Sequence, residues 1–117
     1  PRIYRSGARR IDNAMNQRRM AEMGAQIEAA RALMLAAASS YDEDRSTSFL
    51  PYLQAKVTCS EAAVRVTQDL MTAFGGTAFA SRLPFERYFR DARAGMVMGM
   101  ANDLAYQNMI PLMFQEN

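Results

Sequence analysis

The chain has 117 residues, half of them hydrophobic and 22% charged, with a net charge of +2. This is one folded domain's worth of polypeptide, not a disordered chain, and the charge is too small to suggest nucleic acid. No apolar run nears the ~20 residues of a membrane span, no secretory leader is visible, histidine is absent and Cys59 is the lone cysteine, which excludes His-based triads, zinc sites of His or thiolates, and an internal disulfide.

The chain opens on an arginine-rich stretch, with Arg2, Arg5, Arg9, Arg10, Arg18, Arg19 and Arg31 against Asp12, Glu22 and Glu28. It reads either as a solvated helix face or as a patch for an anion such as phosphate. Residues 11 to 38 predict one long helix, because Met20, Met23, Ile27, Ala30 and Met34 recur at steps of three and four. Gly24 lies within that stripe and suggests a close helix approach. Ser39 to Ser48 is polar, with Asp42, Glu43 and Asp44 clustered, and predicts a loop; calcium-loop ligand spacing does not follow Asp42.

A second helix is expected from about Leu50 to Phe74, with Pro51 in its first turn and a stripe of Leu53, Val57, Ser60, Val64, Thr67, Met71 and Phe74. Ala55, Ala62 and Ala63 thicken the stripe, and Gly75-Gly76 ends the helix. Thr77 to Leu83 predicts a connector. Pro84 then opens a short helical turn through Arg90, and a third helix runs from about Asp91 to Met109, which Pro111 should end or kink. With no alternating strand pattern, the fold class is all-α: an antiparallel, up-down helical bundle. Three long amphipathic helices leave one apolar face for a fourth helix or a partner.

Two stretches carry a resemblance to a known family. The first is Met20-Ala21-Glu22-Met23 followed by Ile27-Glu28-Ala29-Ala30-Arg31. The second is Ala55-Lys56, Ser60-Glu61-Ala62-Ala63, Phe74-Gly75-Gly76, Leu83-Pro84-Phe85-Glu86-Arg87 and Arg90-Asp91-Ala92-Arg93, in that order and without a gap. Together they resemble the C-terminal helical domain of the acyl-CoA dehydrogenase family, over residues 20 to 105. The resemblance implies that residues 1–117 form the last part of a longer FAD-dependent oxidoreductase and lack the bundle's first helix. It also implies a homo- or hetero-oligomer (dimer or tetramer) that removes two hydrogens from an acyl-CoA thioester. Neither nucleic acid nor membrane is an expected partner. The lone cysteine fits a cytoplasmic setting.

By the same resemblance, the turn of Thr72, Phe74, Gly75 and Gly76 approaches the FAD diphosphate, since paired glycines bring backbone N–H groups close to a phosphate. Thr72 stands where the family has Gln, and Ala78 where a third glycine is common. Gly99 takes the position of the family's carboxylate base, Ala101 that of a flavin-contacting threonine, and Asp103 that of another polar flavin contact. A glycine cannot accept a proton, so no catalytic residue is assigned. Three explanations stand: a base on a preceding helix, a flavin monooxygenase of the same fold, or a non-catalytic partner subunit. Asp103, about one helical turn beyond Gly99, is the one nearby carboxylate that could be promoted to base; otherwise it is a polar residue facing solvent or a salt bridge. Glu86, Arg87, Arg90 and Asp91 read as an ion-pair corner, and Met96, Met98 and Met100 as core or interface packing or as the lining of an acyl pocket. The family's flavin-contacting arginine segment falls near Arg5-Ser6-Gly7-Ala8-Arg9, where the aromatic is missing.

Overall fold

The structure, a computed structural model, describes residues 9–76 and 83–114. Arg2, Arg5, Ala78 and the connector up to residue 82 therefore lie outside the described residues. Among the described residues the fold has four α-helices: α1 (Ala14–Glu43), α2 (Phe49–Phe74), α3 (Phe85–Gly95) and α4 (Asn102–Met113). No strand occurs among the described residues, in agreement with the all-α class.

α1 begins at Asn13, whose side-chain oxygen accepts the N–H groups of Met15 (2.9 Å) and Asn16 (3.4 Å). It runs five residues beyond the expected end at 38, because the strong helix formers Ala36, Ala37 and Ala38 carry it through Ser39 and Ser40. Asp44 stops it. The extended backbone there turns its carboxylate onto the Ser46 N–H (2.9 Å) and hydroxyl (2.6 Å), closing a single 3-10 turn, Arg45–Thr47. The predicted loop of 39–48 thus shrinks to a tight turn, and α1 and α2 form a long antiparallel hairpin.

The expected third helix is corrected more deeply. The chain is already helical from Phe85, breaks at residues 96–101, and resumes as α4. The break centres on Gly99, whose φ of 65° is left-handed and costs glycine little. The Asn102 N–H closes it on the Met96 carbonyl at 2.9 Å. Pro111 does not end α4; it occupies the last turn, and the Phe114 N–H still reaches the Ile110 carbonyl at 3.1 Å.

α2 is the hub and packs against each of the other three helices. α3 covers its C-terminal half, with Phe85 against Phe74, and α4 covers its N-terminal half. Both run antiparallel to α2, end to end. Leu53 and Val57 meet Ala105 and Met109 in the core, flanked by Leu50, Met100 and Leu112.

α1 meets α2 through a stripe that keeps Met23 and Ala30 of the predicted one but not Met20, Ile27 or Met34. The positions withdrawn from solvent are Asn16, Arg19, Met23, Gln26, Ala30, Leu33, Ala37 and Ser40, an unbroken three-four rhythm in which Met23 and Leu33 are the only large apolar members. At Ala30 the Cys59 thiol of α2 donates to the Ala30 carbonyl of α1 at 3.3 Å. Met20, Ile27 and Met34 are 47%, 42% and 51% exposed and continue at the same seven-residue spacing into Tyr41. Gly24 is likewise exposed, with nothing within 4 Å of an added Cβ, so it marks no close approach.

Candidate functional site

The Gly75 turn ends α2. Gly75 has φ 65° and ψ −148°, a combination that disfavours any side chain, and its N–H closes the helix on the carbonyls of Met71 and Thr72. Phe74 is held by Phe85, with ring centroids 4.4 Å apart and a 34° tilt. That contact fixes the start of α3 beside the turn. The Thr72 hydroxyl donates to the Gln68 carbonyl at 3.1 Å, so its proton is engaged within the helix and its lone pairs remain for a ligand.

An open groove of about 770 Å³ runs past this turn, with Gln68, Thr72, Gly75, Glu86 and Arg90 on its walls. The residues fit an anionic ligand at one point in particular. Gly76 is exposed, and an added Cβ there meets nothing within 4 Å, so a phosphate can reach the backbone unhindered. Arg90 supplies a cation on the same groove; Glu86 offsets part of it. Gln68 was missed in the sequence. It lies one helical turn before Thr72 and returns an amide to the face from which Thr72 removes one; the i−4 spacing was the available signal.

Asp103 does not join this groove. It is an exposed residue in the first turn of α4, next to Asn102, and Asn102 bonds Ser60. From Ser60 to Gly75, α2 rises about 22 Å. The five sequence-predicted cofactor residues therefore form two groups: Thr72, Phe74, Gly75 and Gly76 at one end of α2, and Asp103 near its middle.

A buried polar cluster holds α4 in place. Asn102, only 4% exposed, accepts a hydrogen bond from the Lys56 ammonium and donates its amide N–H to the Ser60 hydroxyl (2.9 Å), whose own proton goes to the Lys56 carbonyl (2.7 Å). An unbonded buried amide costs roughly 1–3 kcal/mol; here both ends are satisfied. One turn on, the Tyr106 hydroxyl donates to Glu61 at 2.6 Å, and that bond, with some burial, pushes the phenol pKa up. Ala55 and Ala62 are buried. The Ala55-Lys56 and Ser60-Glu61-Ala62 elements thus act as a joint between α2 and its neighbours.

The remaining sequence-predicted features are mostly structural. Arg9 pairs with Asp12 (3.0 Å), Arg18 with Glu22 (2.8 Å) and Arg31 with Glu28 (3.9 Å), which matches a solvated helix face. The Arg9 hydrogen bond holds the Asp12 carboxyl below its usual range. No such pair links Glu86, Arg87, Arg90 or Asp91 among the described residues, and all four are exposed. The expected ion-pair corner does not form among the described residues; Arg87 lies over the Tyr88 ring, 5.7 Å from its centroid. Met100 packs on the core, whereas Met98 is 65% exposed. Among the described residues, no cluster of three or more His, Cys, Asp or Glu could hold a metal ion, and no helix is long and apolar enough to cross a membrane.

Comparison with known proteins identifies the family of the domain. The family described as "Acyl-CoA dehydrogenase, C-terminal domain" matches residues 4–107. Cyclohexane-1-carbonyl-CoA dehydrogenase of Geobacter metallireducens is 34% identical over 93 residues, 80% of this chain and 24% of its own length. Glutaryl-CoA dehydrogenase of Desulfococcus multivorans is 36% identical over 92 residues, 78% of this chain and 24% of its own. Among solved structures, one described as the electron transferring flavoprotein of Acidaminococcus fermentans superposes with a TM-score of 0.87 at 28% identity, covering 97% of this chain and 30% of that one. The chain spans about a quarter of the length of the curated relatives it matches.

Proposed function

This chain belongs to the acyl-CoA dehydrogenase family, as its C-terminal domain, and from that premise we propose that it is the C-terminal part of an FAD-dependent oxidoreductase acting on acyl-CoA thioesters. The observation that carries the reading is the Gly75-Gly76 turn, open to solvent beside a groove with Arg90 on its wall. Thr72, Gly75, Gly76 and Arg90 would hold the diphosphate of FAD, with Phe74 keeping the turn in place through Phe85. FAD, when bound, supplies a hydride acceptor. The chain's own residues bind and orient; none of them is assigned a proton. Asp103, near the middle of α2, would contact a flavin from its own side. Two groups about 22 Å apart along α2 fit a cofactor laid across an interface in an oligomer.

By the resemblance the position of the family's carboxylate base falls at Gly99, which is exposed and left-handed. That observation supports a base carried by another segment, and it also favours a second reading in which the protein is a flavin monooxygenase of the same fold. One experiment separates the possibilities. The complete protein that carries this chain, purified and kept anaerobic, is expected to be yellow and to lose its flavin absorbance on addition of an acyl-CoA. Flavin that stays oxidised with acyl-CoA, but consumes oxygen once reduced, supports the monooxygenase instead. Gly76→Leu should weaken FAD binding at least tenfold with little change in Tm, because nothing in the fold opposes a side chain there. Colourless protein that takes up no FAD overturns both flavin readings.

A further inference from the structure

The geometry points to Lys56 as a positioning residue of this protein: through Asn102 it fixes the 96–101 turn, and with it Gly99 and Asp103, against α2. The inference rests on the reading above in taking that turn as part of the functional site. Asn102 is bound to the rest of the fold in two ways at once. Its backbone N–H closes the turn on the Met96 carbonyl at 2.9 Å. Its side chain is gripped by Lys56 and by Ser60 across the helix interface. Within the turn Met100 packs on the core, but Val97 and Met98 are 68% and 65% exposed and Gly99 has open space around it. The polar cluster therefore adds a directional tie to the apolar contact of Met100.

The chemistry of the cluster is unusual for mere packing. Lys56 is the chain's lone lysine, and the partner its ammonium reaches is a neutral amide, with no carboxylate paired to it among the described residues. An apolar pair would seat α4 on Leu53 and Val57 as well. A directional pair adds register: amide and ammonium meet only when Asn102 stands at the level of Ser60, and a one-residue slip would rotate α4 by about 100° and carry Asp103 round with it. Tyr106 on Glu61 adds a second polar tie between the two helices, one turn along α4.

The test uses the complete protein and hydrogen exchange of the amides of residues 97–103. Lys56→Met, close in length and without the donor, is expected to speed exchange there at least tenfold, to leave exchange in α1 and the C-terminal half of α2 unchanged, and to weaken FAD binding several-fold. Lys56→Arg, which keeps a cationic N–H donor, should restore most of the protection. Ser60→Ala, a milder removal on the same amide, should give a smaller rise confined to the same amides. Unchanged exchange at 97–103 in folded Lys56→Met, or an increase spread evenly over the molecule, overturns the inference. So does failure of both Lys56→Met and Ser60→Ala to fold, which would make the cluster a general stability element. If the unaltered protein takes up no FAD, the flavin reading fails, and the exchange comparison still decides the role of Lys56.

Discussion

Gly75 and Gly76 respond differently to a side chain, although they are neighbours in one turn. Gly75 sits at φ 65° and ψ −148°, a conformation worth roughly 1–3 kcal/mol of strain to any other residue. Gly75→Ala is therefore expected to lower the unfolding free energy by that amount in chemical denaturation, whatever it does to a ligand, and Gly76 is the clean probe of binding. Gly24 is the opposite case. It is helical, exposed and free of neighbours, so Gly24→Ala should raise stability by about 0.5–1 kcal/mol, read as a shift in the denaturation midpoint. The titrating groups act at both ends of the pH scale. Hydrogen bonds from Ser46 hold the Asp44 carboxyl below its usual range. Its contribution is present above an ordinary aspartate pKa of about 3.9 and is lost as the pH falls through the lowered folded value. Asp44→Ala should flatten the acid limb of a stability-versus-pH curve below about pH 4. Tyr106 has the reverse sign: its raised pKa stabilises the fold below the usual phenol value of about 10 and is lost as the pH climbs through the folded value. Tyr106→Phe should remove that part of the alkaline loss.

The helices show how much depends on which residues of a periodic pattern are small. In α1 two readings of the same three-four rhythm compete: a bulky one through Met20, Ile27 and Met34, and a slimmer one through Ala30, Ala37 and Ser40, with Leu33 between them. The slimmer one packs on α2, since a small residue at 30 lets the backbones approach closely enough for the Cys59 thiol to reach the Ala30 carbonyl. Ala30→Leu is expected to force the helices apart, costing about 1–3 kcal/mol of unfolding free energy; the same change at exposed Ala32 should leave the denaturation midpoint nearly unmoved. The division of the last helical stretch into α3 and α4 turned on a different quantity. Residues 85 to 113 have adequate helix propensity nearly throughout, and nothing in a hydropathy pattern marks Gly99 as a break. The left-handed turn there becomes favourable because it lets one segment pack on each half of α2.

At the scale of the molecule, the shape is open. The radius of gyration is 18.0 Å, against about 13 Å for a compact domain of this length. The accessible surface is 8302 Å², where about 6,400 Å² suits a compact monomer of this mass. The excess of about 1,900 Å² is on the scale of a large protein interface. Leu53 is the one large side chain fully buried among the described residues. Oxidation by dilute peroxide should report this surface. In the isolated chain Met15, Met20, Met34, Met98 and Met113 are expected to oxidise fast and Met23 and Met109 slowly; in the complete protein the exposed methionines of α1 should join the slow class, as measured by mass spectrometry. The sequence by itself determined the helical class, the hairpin of two long helices, the glycine turn that ends the second and the family, because helix period, capping residues and motif order are local properties of the chain. The tertiary structure alone decided which face of α1 is buried, where the third helical segment breaks, and that Lys56, Ser60 and Asn102 meet. Those depend on how closely backbones approach and on contacts between residues more than forty positions apart, which no local pattern encodes.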